Sequence, residues 1–334
     1  MRSHTTGEFW MRKRIVAAMV ALITCCSASG SAAEKPLTVA MTTWVGYGLL
    51  HLAREKGFFA KNKVDVSLVT VQDKPATAAA IATGRLDGWS TTVDTFIFYN
   101  ARKLGIKQVL AVDFSKGGEG IVADAGIKTI DDLRGHTIGA EEGSSTYFFL
   151  LNVLADSNMS LGDVNLKPMR AGDAGAAFAA GRLEAAATWD PWLSKAAERG
   201  GHILISSANK PGLIADTVAF REEVIASRPN DIANFIAAYF EAYDYWAASP
   251  KDANAIMAQS LGVSIDEFMA SLKGLEFVSR EANEQYIGTK FVPGQINEVT
   301  TRGIAFYAKA GLLKEGFDAP DAVDPAPLAS ALGK

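Results

Sequence analysis

The sequence predicts an α/β protein built as two similar lobes, each a mostly parallel sheet with flanking helices, with a cleft between them. Three observations carry this expectation. Short β-branched runs alternate with amphipathic helical stretches from Pro36 to about Ile205, the pattern of parallel strands joined by crossover helices. One helix-turn-strand unit occurs twice in that stretch, with Gly84 recurring as Gly181, 97 residues on. The length, 334 residues, suits two domains or one large α/β unit at roughly 100–200 residues per domain.

The chain opens on a segment that is not part of this pattern. Arg12-Lys13-Arg14 is followed by the apolar run Ile15 to Ile23 and the small-residue stretch Cys25 to Ala33, which reads as a secretory signal peptide over residues 1–33. Ser31 and Ala33 fit the cleavage positions, and Met11 is an alternative initiator. Leu22-Ile23-Thr24-Cys25 is a poor lipoprotein box, so lipid anchoring through Cys25 is a minor option. Both cysteines, Cys25 and Cys26, fall in this segment, so the mature chain has no disulfide, thiol nucleophile or thiolate metal site.

Apolar residues make up 49% of the chain and charged residues 21%, with mean hydropathy +0.09, enough for a folded core. The full chain carries 33 basic and 37 acidic groups. Removing Arg2, Arg12, Lys13 and Arg14 with Glu8 leaves 29 against 36, a charge of −7. Such a surface does not suit nucleic acid.

From Leu37 the elements follow in order. Leu37–Thr42 reads as a buried strand, Gly48–Lys56 as a helix stopped by Gly57, Val64–Val71 as a half-buried strand and Pro75–Thr83 as a helix with proline in its first turn. The repeat is Ala79 to Asp87 against Ala176 to Glu184: a helix, a C′ glycine, a turn and a strand. Each repeated strand runs into a loop with an aromatic and a carboxylate, Trp89 to Asp94 and Trp189-Asp190-Pro191-Trp192. After about Arg221 helices dominate, over Ile232–Ala248, Pro250–Ser260 and Ile265–Leu272. Beyond Phe317, Pro320, Pro325 and Pro327 suggest a loosely ordered tail.

Ligands in open α/β sheets sit outside the carboxyl ends of strands, which directs attention to three loops. Trp44 and Tyr47 follow the first strand among glycines. Gly139 to Thr146 passes from strand to helix with Glu141, Glu142, Ser144, Ser145 and Thr146, hydroxyls that suit an anion or serve as a plain N-cap. Trp189-Asp190-Pro191-Trp192 offers either a helix cap at Asp190 or an aromatic box with one acidic contact. The mature chain's His51, His136 and His202 have no metal-ligand spacing, and no nucleophile-elbow, zinc-protease or P-loop pattern occurs. No catalytic residue, metal or cofactor is expected.

Trp44 to Phe59, Ala82 to Asp87, Asp131 to Gly135, Gly143-Ser144-Ser145, and Ala179 to Glu184 with Trp189 to Trp192 together resemble the substrate-binding proteins of nitrate/sulfonate/taurine-type ABC importers. The resemblance runs from about Lys35 to Leu313. It implies a type II periplasmic binding fold with two crossover segments, a periplasmic location, a monomer, and an ABC permease as partner. Lobe 1 would take residues 34–120 and 215–315, lobe 2 residues 121–214, with 316–334 as the tail. The family's pocket loops fall on Trp44, Tyr47, Thr92, Asp94, Ser144, Ser145, Thr146, Trp189, Asp190 and Asp216, with Glu141 beside them. Those loops carry acids and neither lysine nor arginine, which favours an amine, amidine or zwitterion over a nitrate, sulfonate or taurine-like anion. Pyrimidine-synthase enzymes on the same fold need a cysteine-rich metal motif that the mature chain lacks. A transcriptional effector domain would need a helix-turn-helix where the signal segment stands. N-terminal sequencing of exported protein is expected to begin near Glu34; retention of Met1 or Met11 contradicts the signal peptide.

Overall fold

In the computed structural model, residues 35–313 and 317–334 are described. The expected signal peptide, Met11 and Cys25 lie outside the described residues. Eleven strands are found among those described: β1 (Leu37–Met41), β2 (Val66–Thr70), β3 (Gly88–Thr92), β4 (Ile106–Ser115), β5 (Glu119–Asp124), β6 (Thr137–Ala140), β7 (Asn165–Pro168), β8 (Ala185–Trp189), β9 (Gly201–Ser206), β10 (Ala215–Arg221) and β11 (Leu275–Phe277). They form two sheets, ordered β11-β4-β10-β3-β1-β2 and β7-β6-β8-β5-β9, within one compact unit, Pro36–Lys334.

Four strands of each sheet correspond. β2, β1 and β3 run parallel, as do β7, β6 and β8. An antiparallel strand completes each set, β10 beside β3 and β5 beside β8. The sequence repeat accounts for this likeness. The helices Lys74–Ala82 and Ala171–Ala179 both end at a glycine with φ of 69°, Gly84 and Gly181, a conformation that a side chain strains. The acid three residues later then clamps the start of the neighbouring parallel strand. Asp87 accepts from the Thr38 amide at 2.9 Å and hydroxyl at 2.8 Å. Glu184 accepts from the Thr137 amide at 2.7 Å and pairs with His136 Nδ1 at 2.8 Å.

The chain passes from the first sheet to the second through Lys116–Gly118 and returns between Ser206 and Ala215. Both passages are tied to the frame. Lys116 and Gly118 amides donate to the Gly274 carbonyl at 2.7 and 3.1 Å, and the Gly117 amide donates to Ser207 Oγ at 2.7 Å. Against the first sheet lies the helix Pro229–Ala248, whose Ile232, Phe235, Ile236, Tyr239 and Phe240 are buried. Tyr239 also donates to the Val112 carbonyl at 2.8 Å. Among the described residues no helix is long and apolar enough to cross a membrane.

The prolines of the C-terminal segment do not leave it loose, contrary to the expectation for residues 316–334. Ala319–Ala322 forms a 3-10 turn and Ala326–Ala331 a helix, each with proline in its first turn, where no backbone N–H is needed. Val323 bridges Gln108 of β4, and the Asp324 amide donates to the Gln108 carbonyl at 3.0 Å. Leu328 is buried against the helix Pro229–Ala248. Leu328→Ala is expected to cost about 2–5 kcal/mol, the range for a buried leucine. A urea midpoint that does not move would show the segment is dispensable.

Candidate functional site

Strand ends and helix starts from both sheets converge on two neighbouring chambers that share Lys74 and Trp189 as lining residues. The deep chamber, about 30 Å³, is lined by Thr42, Trp44, Tyr47, Thr91, Thr92 and Asp216 from the first sheet's side and by Glu119, Ser145 and Trp189 from the second. The outer chamber, about 170 Å³, adds Thr43, Gln72, Glu141, Arg170 and Trp192.

The floor of the deep chamber is acidic and enclosed. Asp113 of β4 and Asp216 of β10 are directly opposite in antiparallel register, 0% and 2% exposed. Glu119 and Asp94 are each 3% exposed. The hydrogen-bond donors to these carboxylates are uncharged. Trp44 Nε1 donates to both Asp113 oxygens at 3.3 and 3.1 Å, Tyr47 OH to Asp216 Oδ1 at 2.5 Å, and Ser115 Oγ to Glu119. Asp216 Oδ2 and Asp94 Oδ1 are buried without a hydrogen-bond partner.

Such burial disfavours the ionised form. Asp113 is pushed well up by desolvation and then by the charges of Asp216 and Glu119. Desolvation likewise raises Asp216. Glu119 is pushed up to about 8 by burial and by Asp216, against the Ser115 hydrogen bond. Asp94 rises to about 6 through burial, opposed by the Thr92 hydroxyl. Burial and Asp216 together raise the Tyr47 phenol far above its usual range.

Walls of indole hold the chamber. Trp44 and Trp189 meet edge to face across the cleft, with centroids 6.1 Å apart and planes at 88°. Gly118 makes room for this: a Cβ there would lie 2.3 Å from Trp44 Cη2. At the junction with the outer chamber, Lys74 Nζ lies 3.2 Å from Glu141 Oε2. Both side chains are about 10% exposed, and the same carboxylate oxygen accepts from the Ala171 amide at 3.0 Å. Arg170 is paired with Asp173 at 2.8 Å.

Of the residues expected from sequence, Trp44, Tyr47, Thr92, Glu141, Ser145, Trp189 and Asp216 line these chambers. Four do not. Asp190 is turned to its own helix, accepting from the Ser194 amide at 3.0 Å and hydroxyl at 2.8 Å, but from one residue before the N-cap, which is Pro191 rather than Asp190. Ser144 caps the helix Ser145–Asp156, accepting from the Tyr147 amide at 3.2 Å, and Thr146 bonds Ser144 Oγ at 3.0 Å. Asp94 lies behind Thr92 in the first turn of the helix Val93–Asn100. The expectation of no basic side chain is also corrected, because Lys74 and Arg170 reach the outer chamber from helix starts outside the loops considered. Glu119 was missed as a site acid, and Asp113 was read only as a further acid near the pocket, because each stands within a strand, where alternation alone accounts for a polar residue. A carboxylate inside the apolar run Val109 to Phe114 was the available signal. Among the described residues no three His, Cys, Asp or Glu side chains are gathered to hold a metal ion.

Comparison with known proteins places this geometry. The NMT1/THI5-like family model matches residues 47–253, and the chain belongs to that family. A binding protein of Brucella abortus is 26% identical over 316 residues, covering 93% of this chain and 97% of the relative. The periplasmic aliphatic sulphonate binding protein SsuA from Escherichia coli superposes with a TM-score of 0.69 at 20% identity, over 86% of this chain and 97% of that one. The desulfurization enzyme DSZB superposes with a TM-score of 0.65 at 17% identity, over 90% and 99%. The fold is the type II periplasmic binding fold that the sequence resemblance implied.

The buried carboxylates give the ligand-free protein a pH dependence of definite sign. A carboxyl with a raised folded-state pKa binds more protons folded than unfolded, so its contribution is complete below the unfolded value and is lost as pH rises through the folded one. Melting temperature is expected to fall as pH is raised from about 6 to about 8, the window set by Asp94 and Glu119. Buried His51, lowered to about 4, acts in the opposite sense, but only below about pH 6.5. Glu119→Gln should flatten the upper half of the curve. A melting temperature constant across the window contradicts this assignment.

Proposed function

Starting from membership of the NMT1/THI5-like family, we propose that this is an exported solute-binding protein. It captures a small polar molecule bearing a cationic group in the interlobe cleft and delivers it to an ABC importer. One observation carries the charge assignment: four carboxylates, Asp94, Asp113, Glu119 and Asp216, are buried around the deep chamber with only neutral hydrogen-bond donors among the contacts above. The one cation that lines the chamber among the described residues, Lys74, is held by Glu141. A ligand cation supplies the missing countercharge, and the indoles of Trp44 and Trp189 suit its apolar part.

Binding without turnover fits the same features. The chambers bring together carboxylates and hydroxyls but no His or Cys, and the sequence carries no catalytic motif. The enzyme DSZB on a similar fold makes turnover the outcome to watch for in any binding assay. A sulfonate-like anion is the second reading. It is supported by the name of the Escherichia coli neighbour and by Lys74 and Arg170 in the outer chamber. There each cation already has a carboxylate partner, Glu141 and Asp173.

A thermal-shift screen against small amines, amino acids, amidines, nitrate and alkanesulfonates is expected to single out a compound with a cationic group. A ligand at about 100 times its dissociation constant stabilises by about 2.7 kcal/mol. Asp216→Asn should then weaken that ligand about tenfold to over a hundredfold, the loss of one charge-assisted hydrogen bond of roughly 1.5–3 kcal/mol. Its ligand-free melting temperature should not fall, since a desolvated carboxylate is removed. If the screen finds only anions, and Asp216→Asn tightens them, the cationic reading is overturned.

A further inference from the structure

We propose that the deep chamber is a socket for a cationic head group that carries N–H donors, which enters in exchange for a proton held there when the socket is empty. This rests on the cationic reading above and narrows it to N–H-bearing over quaternary cations.

Donor count is the first constraint. An ammonium head offers three N–H donors and no acceptor. Asp216 Oδ2 lies buried with no partner in the residue that lines the chamber. Glu119 and the hydroxyls of Thr91, Thr92 and Ser145 line the same space and complete an acceptor set. A quaternary head has no N–H, and it would leave Asp216 as unsatisfied as before.

Charge supplies the second. The titratable groups around the chamber are Tyr47 after β1, Lys74 at its helix start, Asp94 in the first turn of Val93–Asn100, Asp113 on β4, Glu119 on β5, Asp190 after β8, Asp216 on β10, Tyr239 of the helix Pro229–Ala248 and Tyr286 of the helix Arg280–Ile287. Glu141 stands behind Lys74 and occupies it. Like charges facing each other in the dry interior disfavour joint ionisation, so the empty site keeps protons on its carboxyls. On capture, the ligand arrives as a cation with N–H donors. The O–H bond of one carboxylic acid breaks, its proton passes to solvent, and the resulting carboxylate accepts a ligand N–H. The charge of the closed site is unchanged.

The test needs no knowledge of the natural ligand. Infrared spectra of the purified protein at neutral pH are recorded in the region of the protonated-carboxyl C=O stretch. The probes are ethylammonium, tetramethylammonium and guanidinium chlorides and sodium ethanesulfonate, with potassium chloride matching ionic strength. The ligand-free protein should show the band, reduced in Asp216→Asn and, as a second variant, in Glu119→Gln, with circular dichroism confirming that each folds. Ethylammonium or guanidinium should diminish the band and raise the melting temperature at concentrations about tenfold below those needed of tetramethylammonium, the factor for one charge-assisted hydrogen bond. Absence of the band in the ligand-free protein overturns the exchange. Equal or stronger action by tetramethylammonium overturns the socket while leaving the cationic reading intact. Stabilisation by ethanesulfonate alone overturns both.

Discussion

Asp113 and Asp216 face each other across adjacent strands, out of water, and the cleft floor is arranged around their repulsion. Like charges directly opposite in a sheet are destabilising, and desolvation makes each ion costlier still. The protein meets this with neutral donors. The indole of Trp44 straddles both oxygens of Asp113, which fixes the ring as a wall of the deep chamber. The phenol of Tyr47 takes one oxygen of Asp216 and leaves the other free. The acids thus orient the aromatics, and the aromatics enclose the acids. Gly118 follows from the same arrangement, because the edge of Trp44 occupies the space that a side chain would need.

A second charge arrangement stands beside the first. Lys74 lines both chambers, and its charge eases the ionisation of Asp216 and Asp94 without outweighing their burial. Glu141 holds it from the opposite sheet, and the Ala171 amide holds Glu141. Partnering a largely buried pair in this way avoids the cost of leaving either ion alone, which is usually 3–5 kcal/mol. The bridge also ties the two sheets together on one flank of the cleft, as Lys195 and Glu267 do between the helices Trp192–Glu198 and Ile265–Leu272, at 2.8 Å.

The sequence made the frame legible and left the partition of its polar residues obscure. Helix starts, helix ends and strand cores are local properties, so Ile265–Leu272 coincides with its expected span and the Gly84/Gly181 repeat marks the corresponding halves. The function of the repeated acid was also local in effect, yet it could not be read: Asp87 and Glu184 serve strands 49 and 47 residues away. The site suffered from the same limit. Asp190 before proline and Ser144 before a helix have two uses each, capping or ligand contact, and only the side-chain direction decides. Lys74 fell just before the expected helix start at Pro75, whereas the helix begins at Lys74 behind the cap Asp73. Asp216 was expected at the cleft, but its opposition to Asp113 lies in the pairing of β4 with β10, which joins residues 103 positions apart.

That pairing has a consequence for when charge is recognised. In an open cleft, water can solvate the floor carboxylates and they can ionise at little cost. Under the proposed function, closing the cleft over its ligand takes these carboxylates out of water, where ionisation is unfavourable. Such closure at neutral pH requires either protons or a cation on the floor. Under the proposed function, a neutral or anionic molecule that enters the cleft does nothing to ease this step, whereas a cation does. Discrimination then resides in closure rather than in first contact, so the acids contribute to selectivity because they are uncomfortable when buried alone.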